Sequence, residues 1–105
     1  MIVKNRIKKY PEFQKVIGVG EVKKTSFFVS YSLPNELGYS RFGISVPKKI
    51  GSAVVRNRIK RQVRSAIGQS TNFKKPVDMV LVVRKIYDVD AFNQILSEIQ
   101  ELIEK

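Results

Sequence analysis

The segment Val77 to Val83, Val-Asp-Met-Val-Leu-Val-Val, is almost continuously apolar. A strand with one face in water alternates apolar and polar side chains, so a run of this kind reads as a strand covered on both faces. It is far shorter than the ~20 residues needed to span a bilayer, and the N-terminus shows no signal-peptide core. A chain of 105 residues, 43% of them hydrophobic, is about right for one domain with one modest core. A soluble, cytoplasmic protein with no membrane partner is the expectation.

Other elements follow from periodicity and breakers. Pro11 to Ile17 reads as a short helix with Pro in the first turn, Glu12 complementing the N-terminal dipole, and Gly18 and Gly20 as a stop; Phe13 and Ile17 lie four apart on one face. Ser26 to Leu33 reads as a strand with Phe27, Val29, Tyr31 and Leu33 on one side and Phe28, Ser30 and Ser32 on the other. Glu21 to Lys24 either begins that strand or forms one of its own, and after the loop at Pro34 to Gly38 a further strand covers Ser40 to Val46. Ser52 to Ile67 is the clearest helix, with Ser52 as N-cap, Gly68 as stop, and Val55, Ile59, Val63, Ala66 and Ile67 as the buried stripe. A last helix opens from an acidic cap at Asp88 or Asp90 and buries Phe92, Ile95, Leu96, Ile99, Leu102 and Ile103.

Charge is distributed unevenly. The chain carries 20 Lys and Arg against 9 Asp and Glu, a net +11. Such self-repulsion in a small fold is relieved by a polyanion, and nucleic acid leads because cations that neutralise phosphates release condensed counterions. Between Glu36 and Asp78 there is no acid, yet Arg41, Lys48, Lys49, Arg56, Arg58, Lys60, Arg61, Arg64, Lys74 and Lys75 all fall there. At ~100° per residue, Asn57, Lys60, Arg61 and Arg64 share the face opposite the apolar stripe, with Arg56 and Arg58 flanking them.

An ordinary solvated helix face interleaves Glu with Lys to gain pairs four residues apart. This face has five cations and no acid, so it repels itself until phosphates supply the anions. Four of the five are Arg, whose planar fork grips a phosphate through two hydrogen bonds or stacks on a base. Such a helix suits a DNA major groove as well as an RNA backbone, and by itself does not choose.

The chain has no Cys and no His. That removes disulfides, thiolate sites, the usual general base and the imidazole of every Ser-His-Asp arrangement. A protein-only nuclease would need clustered carboxylates to hold Mg²⁺, and the nearest pair, Asp88 and Asp90, reads as helix caps. No catalytic residue and no metal ligand is assigned to the protein.

The stretch from Arg41 to Arg64 resembles the signature of the bacterial ribonuclease P protein. It holds an Arg-x-Gly-aliphatic-Ser-Val strand at Arg41 to Val46, then Lys48-Lys49-Ile50-Gly51 and Ala53-Val54, then the Arg56-Asn57-Arg58-x-Lys60-Arg61-x-x-Arg64 helix. The opening Arg6-Ile7-Lys8-Lys9 with Glu12-Phe13 is similar to that family's start, so the resemblance spans nearly the whole chain. Ile17 stands where the family commonly has an aromatic, Pro47 where Ser is frequent, and Ser52 where Asn is frequent.

The resemblance implies an α+β fold: a single αβββαβα domain, residues 1–105, with a mostly antiparallel central sheet, one parallel strand pair and a left-handed crossover around the basic helix. Handedness rules alone predict the opposite hand. It also implies the function of a non-catalytic protein subunit, monomeric in its complex. The catalytic RNA would remove the 5′ leader of precursor tRNA with Mg²⁺ bound mainly by RNA. Lys48, Lys49, Arg56, Asn57, Arg58, Lys60, Arg61 and Arg64 would face that RNA, while Phe13, Ile17 and Tyr31 would line a cleft for the single-stranded leader. Aromatic and apolar walls beside cations bind unstacked bases with little sequence preference. The competing reading is a ribosomal or other structural RNA-binding protein of the same size and charge; a DNA-binding one is weaker, because a strand and not a helix precedes the basic helix.

Overall fold

A computed structural model of the chain describes residues 7, 9–69 and 76–104. The elements are α1 (Tyr10–Val19), β1 (Glu21–Lys24), β2 (Phe28–Pro34), β3 (Arg41–Ser45), a 3-10 turn (Lys48–Ile50), α2 (Ala53–Gln69), β4 (Val77–Val83) and α3 (Phe92–Glu104). The expected αβββαβα order holds, and Glu21 to Lys24 forms its own strand. Arg6, Lys8, Lys74 and Lys75, quoted above for charge or motif, lie outside the described residues.

The sheet order is β1-β2-β4-β3. β4 pairs antiparallel with β2 and parallel with β3, while β1 hangs antiparallel on β2. Its central place explains the continuous apolar run: Val80 and Leu81 are neighbours on opposite faces, and both are fully buried. Register then assigns every strand residue to a side. Phe28, Ser30 and Ser32 line up with Val83, Leu81 and Met79, which are joined across β4 by Phe42 and Ile44. Val29, Tyr31 and Leu33 line up with Val82, Val80 and Asp78 on the opposite side, with Ser45, Gly43 and Arg41.

The first side is closed by two helices. Ile59, Val63, Ala66 and Ile67 of α2 and Ile95, Ile99, Leu102 and Ile103 of α3 form one core with Phe28, Phe42, Met79, Leu81 and Val83. Among the described elements α1 is the one on the second side, burying Val16 and leaving Val29, Tyr31, Leu33 and Val82 half-exposed.

Several boundaries differ from the sequence expectation for local reasons. Gly18 and Gly68 both lie inside helices, while Gly20 is the stop of α1 as expected, its N–H donating to the Val16 carbonyl at 2.8 Å. A Cβ on Gly20 would come within 2.9 Å of the Ser32 carbonyl oxygen, so the chain can pass this close to β2 only as glycine. Ser52 does cap α2, accepting the Val55 N–H at 3.3 Å. Val55 is not in the stripe: at 39% exposure it sits in the first turn, which overhangs the core and packs on Gly51.

Neither aspartate caps α3. Asp88 Oδ1 accepts the Asp90 N–H at 2.9 Å in a turn of its own, and the helix begins at Phe92 with the Ala91 carbonyl accepting the Ile95 N–H. Phe27 also changes sides. It precedes β2 in a bend, where Glu98 Oε1 accepts its N–H at 2.8 Å, and its ring enters the closed core beside Phe28.

Candidate nucleic-acid interface

The polar face of α2 follows from the burial of the other. With Ile59, Val63, Ala66 and Ile67 turned into the core, Asn57, Lys60, Arg61 and Arg64 line one shallow surface groove together with Val54. Arg58 is exposed beside them, and half-buried Arg56 donates from Nε to the Gly51 carbonyl at 3.2 Å, tying the helix to its own entry turn. Lys48 and Lys49 stand exposed on the 3-10 turn that feeds the same helix end. All eight residues expected to face RNA therefore belong to one helix and the turn before it.

Their electrostatic situation is set by what they lack. Lys60, Arg58 and Arg61 make no ion pair among the described residues, whereas Arg41 makes two, 2.7 Å to Asp78 and 3.1 Å to Glu12. Five like charges on three turns of helix keep an outward field, and a phosphate chain is the ligand whose charge and spacing match it.

Arg41 shows the other fate of a cation in this chain. Its Nε and Nη2 donate to both oxygens of Asp78, Nη2 also reaches Glu12, and Asn35 Nδ2 donates to Asp78 Oδ1 at 2.8 Å. Burial pushes the Asp78 carboxyl up, but the hydrogen bonds from Arg41 and Asn35 outweigh it and hold the group below the usual carboxylate range. The hydrogen bond to Asp78 raises Arg41 further above its ordinary value. This clamp joins β3, β4 and α1.

Sequence reasoning missed the clamp, although the signal was present. Glu12-Phe13 and Arg41-x-Gly43 were read as two separate stretches, and the fold sets them against each other twice. Glu12 meets Arg41, and a Cβ on Gly43 would lie 2.6 Å from Phe13 Cε2, so the ring rests directly on the glycine. Phe13 and Ile17 are half-buried on α1, and Tyr31 is half-buried on the sheet face that α1 partly covers. Beyond the helix that face continues as the Lys24, Val29, Val82 and Ser45 row, two apolar side chains between a cation and a hydroxyl. The aromatic and apolar residues expected to line a cleft thus share one face of the sheet, opposite the closed core.

Among the described residues no three acidic side chains converge on a point that would hold a metal ion. No helix is long and apolar enough to cross a membrane among them either.

Comparison with known proteins agrees with this geometry. The family model described as Ribonuclease P matches residues 1–105. The chain is 40% identical over 102 residues to the ribonuclease P protein component of Mesoplasma florum, covering 95% of this chain and 93% of that protein. It is 39% identical to that of Bacillus velezensis, covering 97% and 89%. The solved RNase P protein of Staphylococcus aureus superposes with a TM-score of 0.81 at 34% identity, over 94% of this chain and 91% of that one. A basic helix without acids, a family model that matches residues 1–105 and a fold that superposes over 94% of the chain lead to one conclusion: the chain belongs to the family of bacterial ribonuclease P protein components.

Proposed function

We propose that this protein serves a catalyst made of RNA, binding the ribonuclease P RNA through α2 and the Lys48–Lys49 turn and holding the single-stranded 5′ leader of precursor tRNA on the α1 side of the sheet. The endonucleolytic hydrolysis is then the RNA's, with Mg²⁺ held by RNA. Among the described residues Asp78 is engaged by Arg41 and Asn35, and no three acids converge. One monomer supplies both surfaces, since α2 and α1 lie on opposite sides of one sheet.

The observation that carries this reading is the α2 face, five Lys or Arg with Asn57 and no carboxylate. Its cations lower the repulsion between ribozyme and substrate backbones, which otherwise demands high Mg²⁺. Phe13, Ile17 and Tyr31 give the leader sequence-tolerant stacking and apolar contact.

Addition of the purified chain to ribonuclease P RNA at low Mg²⁺ is expected to accelerate 5′ cleavage of precursor tRNA. Absence of any gain would refute the assignment. Arg58→Glu or Arg61→Glu is expected to weaken binding to that RNA by about 2–3 kcal/mol and to flatten its dependence on salt, each reversal removing one phosphate contact and adding a repulsion. A salt slope equal to wild type would remove the helix from the interface.

A further inference from the structure

A second concavity opens beside the edge strand β3. The edge strand is stitched to the N-terminal segment by the Ile7 N–H, which donates to the Phe42 carbonyl at 2.9 Å. Around that stitch, Ile7, the Phe13 ring, Gly43 and Ile44 form an apolar floor, and Lys60 and Arg64 of α2 form the rim of a cavity of about 130 Å³. That is the scale of a few waters or of one planar ring. It draws on both sides of the sheet at this edge, Phe13 and Gly43 from the α1 side, and Phe42, Ile44, Lys60 and Arg64 from the α2 side.

Lys60 and Arg64 line both this cavity and the groove along α2, while Asn57 and Arg61 line the groove alone. Burial agrees, since Lys60 and Arg64 are half-buried and Asn57, Arg58 and Arg61 are exposed. The five cations of the helix are therefore not equivalent. An apolar, aromatic-edged floor with cations on one rim is the chemistry that holds a nucleotide, the base on the ring and the phosphate on the ammonium and guanidinium.

We infer that this cavity takes a single nucleotide of the substrate's leader, with its base or ribose against Phe13 and its phosphate on Lys60 and Arg64. The inference rests on the proposed function and divides its basic helix, giving two of the α2 cations to substrate. The leader is the RNA that reaches this place because Phe13 also bounds the face on which the leader lies. A strand leaving that face past Phe13 meets Lys60 and Arg64 at the edge of β3, where the α2 groove begins. Gly43 is what makes the floor, because any side chain there would lift the Phe13 ring off the strand.

The test uses holoenzyme reconstituted with ribonuclease P RNA at saturating protein, and compares affinity for precursor tRNA with affinity for mature tRNA. Lys60→Gln and Arg64→Gln are each expected to weaken the leader-bearing substrate about tenfold relative to mature tRNA, the effect of one charge-assisted contact. Arg61→Gln is expected to weaken protein binding to ribonuclease P RNA and to change both tRNAs alike. Phe13→Leu combined with Lys60→Gln should lose less than the two single losses together, because both act on one nucleotide. Equal losses on the two tRNAs for Lys60→Gln and Arg64→Gln would overturn the inference and assign the cavity to ribozyme RNA, and strict additivity with Phe13→Leu would overturn it as well. Failure of the wider reading looks different: wild-type holoenzyme would then show no preference for the leader-bearing tRNA, or Arg61→Gln would leave ribonuclease P RNA binding intact.

Discussion

The two faces of the sheet are built on opposite terms. On one, α2 and α3 close a continuous core in which Phe28, Leu81, Ile95 and Ile99 are wholly buried. On the other, α1 alone covers part of the surface, and it is fixed by one buried valine, one ring laid on a glycine, and an ion-pair clamp. Apolar burial stabilises without direction, whereas a salt-bridged arginine stabilises only at one geometry. The closed face therefore supplies the stability of the domain. The open face leaves Val29, Tyr31, Leu33 and Val82 half-exposed beside α1.

The comparison breaks first at β4, whose successive residues face opposite sides. Leu81→Ala, in the closed core, is expected to cost about 3 kcal/mol in chemical denaturation, from lost transfer and the cavity left behind. Val82→Ala on the open side should cost under ~1 kcal/mol, because its side chain is already half in water. Equal losses would mean that the faces do not differ in the way described.

The clamp gives the next largest effect. Asp78→Ala strips Arg41 of its bidentate partner and is expected to cost about 2 kcal/mol, less than a fully buried pair because Glu12 remains within reach and partly in water. Acid should reproduce part of this loss in wild type. Asp78 titrates lower folded than its ordinary 3.8, so its contribution is complete above that value and disappears as pH falls through the folded-state pKa. The wild type should therefore lose more stability than Asp78→Ala between pH 5 and the acid limit, as followed by thermal melts; parallel curves would show that the clamp adds nothing.

Legibility in the sequence divides along the same line. Most of the closed face is readable, since periodicity alone places Ile59, Val63, Ala66 and Ile67, all of β4, and the α3 stripe, and misses only at Val55 and Phe27. The basic face of α2 was readable as its complement. On the open face alternation places Val29, Tyr31 and Leu33, but not what fixes α1 there, because those determinants pair residues far apart in sequence, Glu12 with Arg41 and Phe13 with Gly43, and no local period records such a pairing. Boundaries failed where a glycine was taken to stop a helix that its own hydrogen bonds continue, as at Gly18 and Gly68, or where an Asx turn resembled a cap, as at Asp88.

A smaller effect separates the faces by function. Tyr31 stands on the open side opposite Val80 and Val22 and contributes little to the closed core. Tyr31→Ala is expected to weaken holoenzyme binding of leader-bearing precursor tRNA by about 1 kcal/mol, the scale of one base-aromatic contact, and to leave mature tRNA affinity as in wild type. Equal weakening of both would take Tyr31 out of the leader surface and leave its ring as packing.

The smallest expected change probes the closed face at the fully buried serine of β2. Ser30 lies opposite Leu81, fully buried, and its hydroxyl finds no hydrogen-bond partner. A hydroxyl removed from water without replacement costs about 1–2 kcal/mol, while the methylene beneath it packs as alanine would. Ser30→Ala is therefore expected to leave stability unchanged or to raise it by up to ~1 kcal/mol, read as a shift in the denaturation midpoint at constant slope. A clear loss would mean that the hydroxyl is bonded in solution, through a water held between β2 and α3, and that the closed face is wetter than its apolar lining indicates.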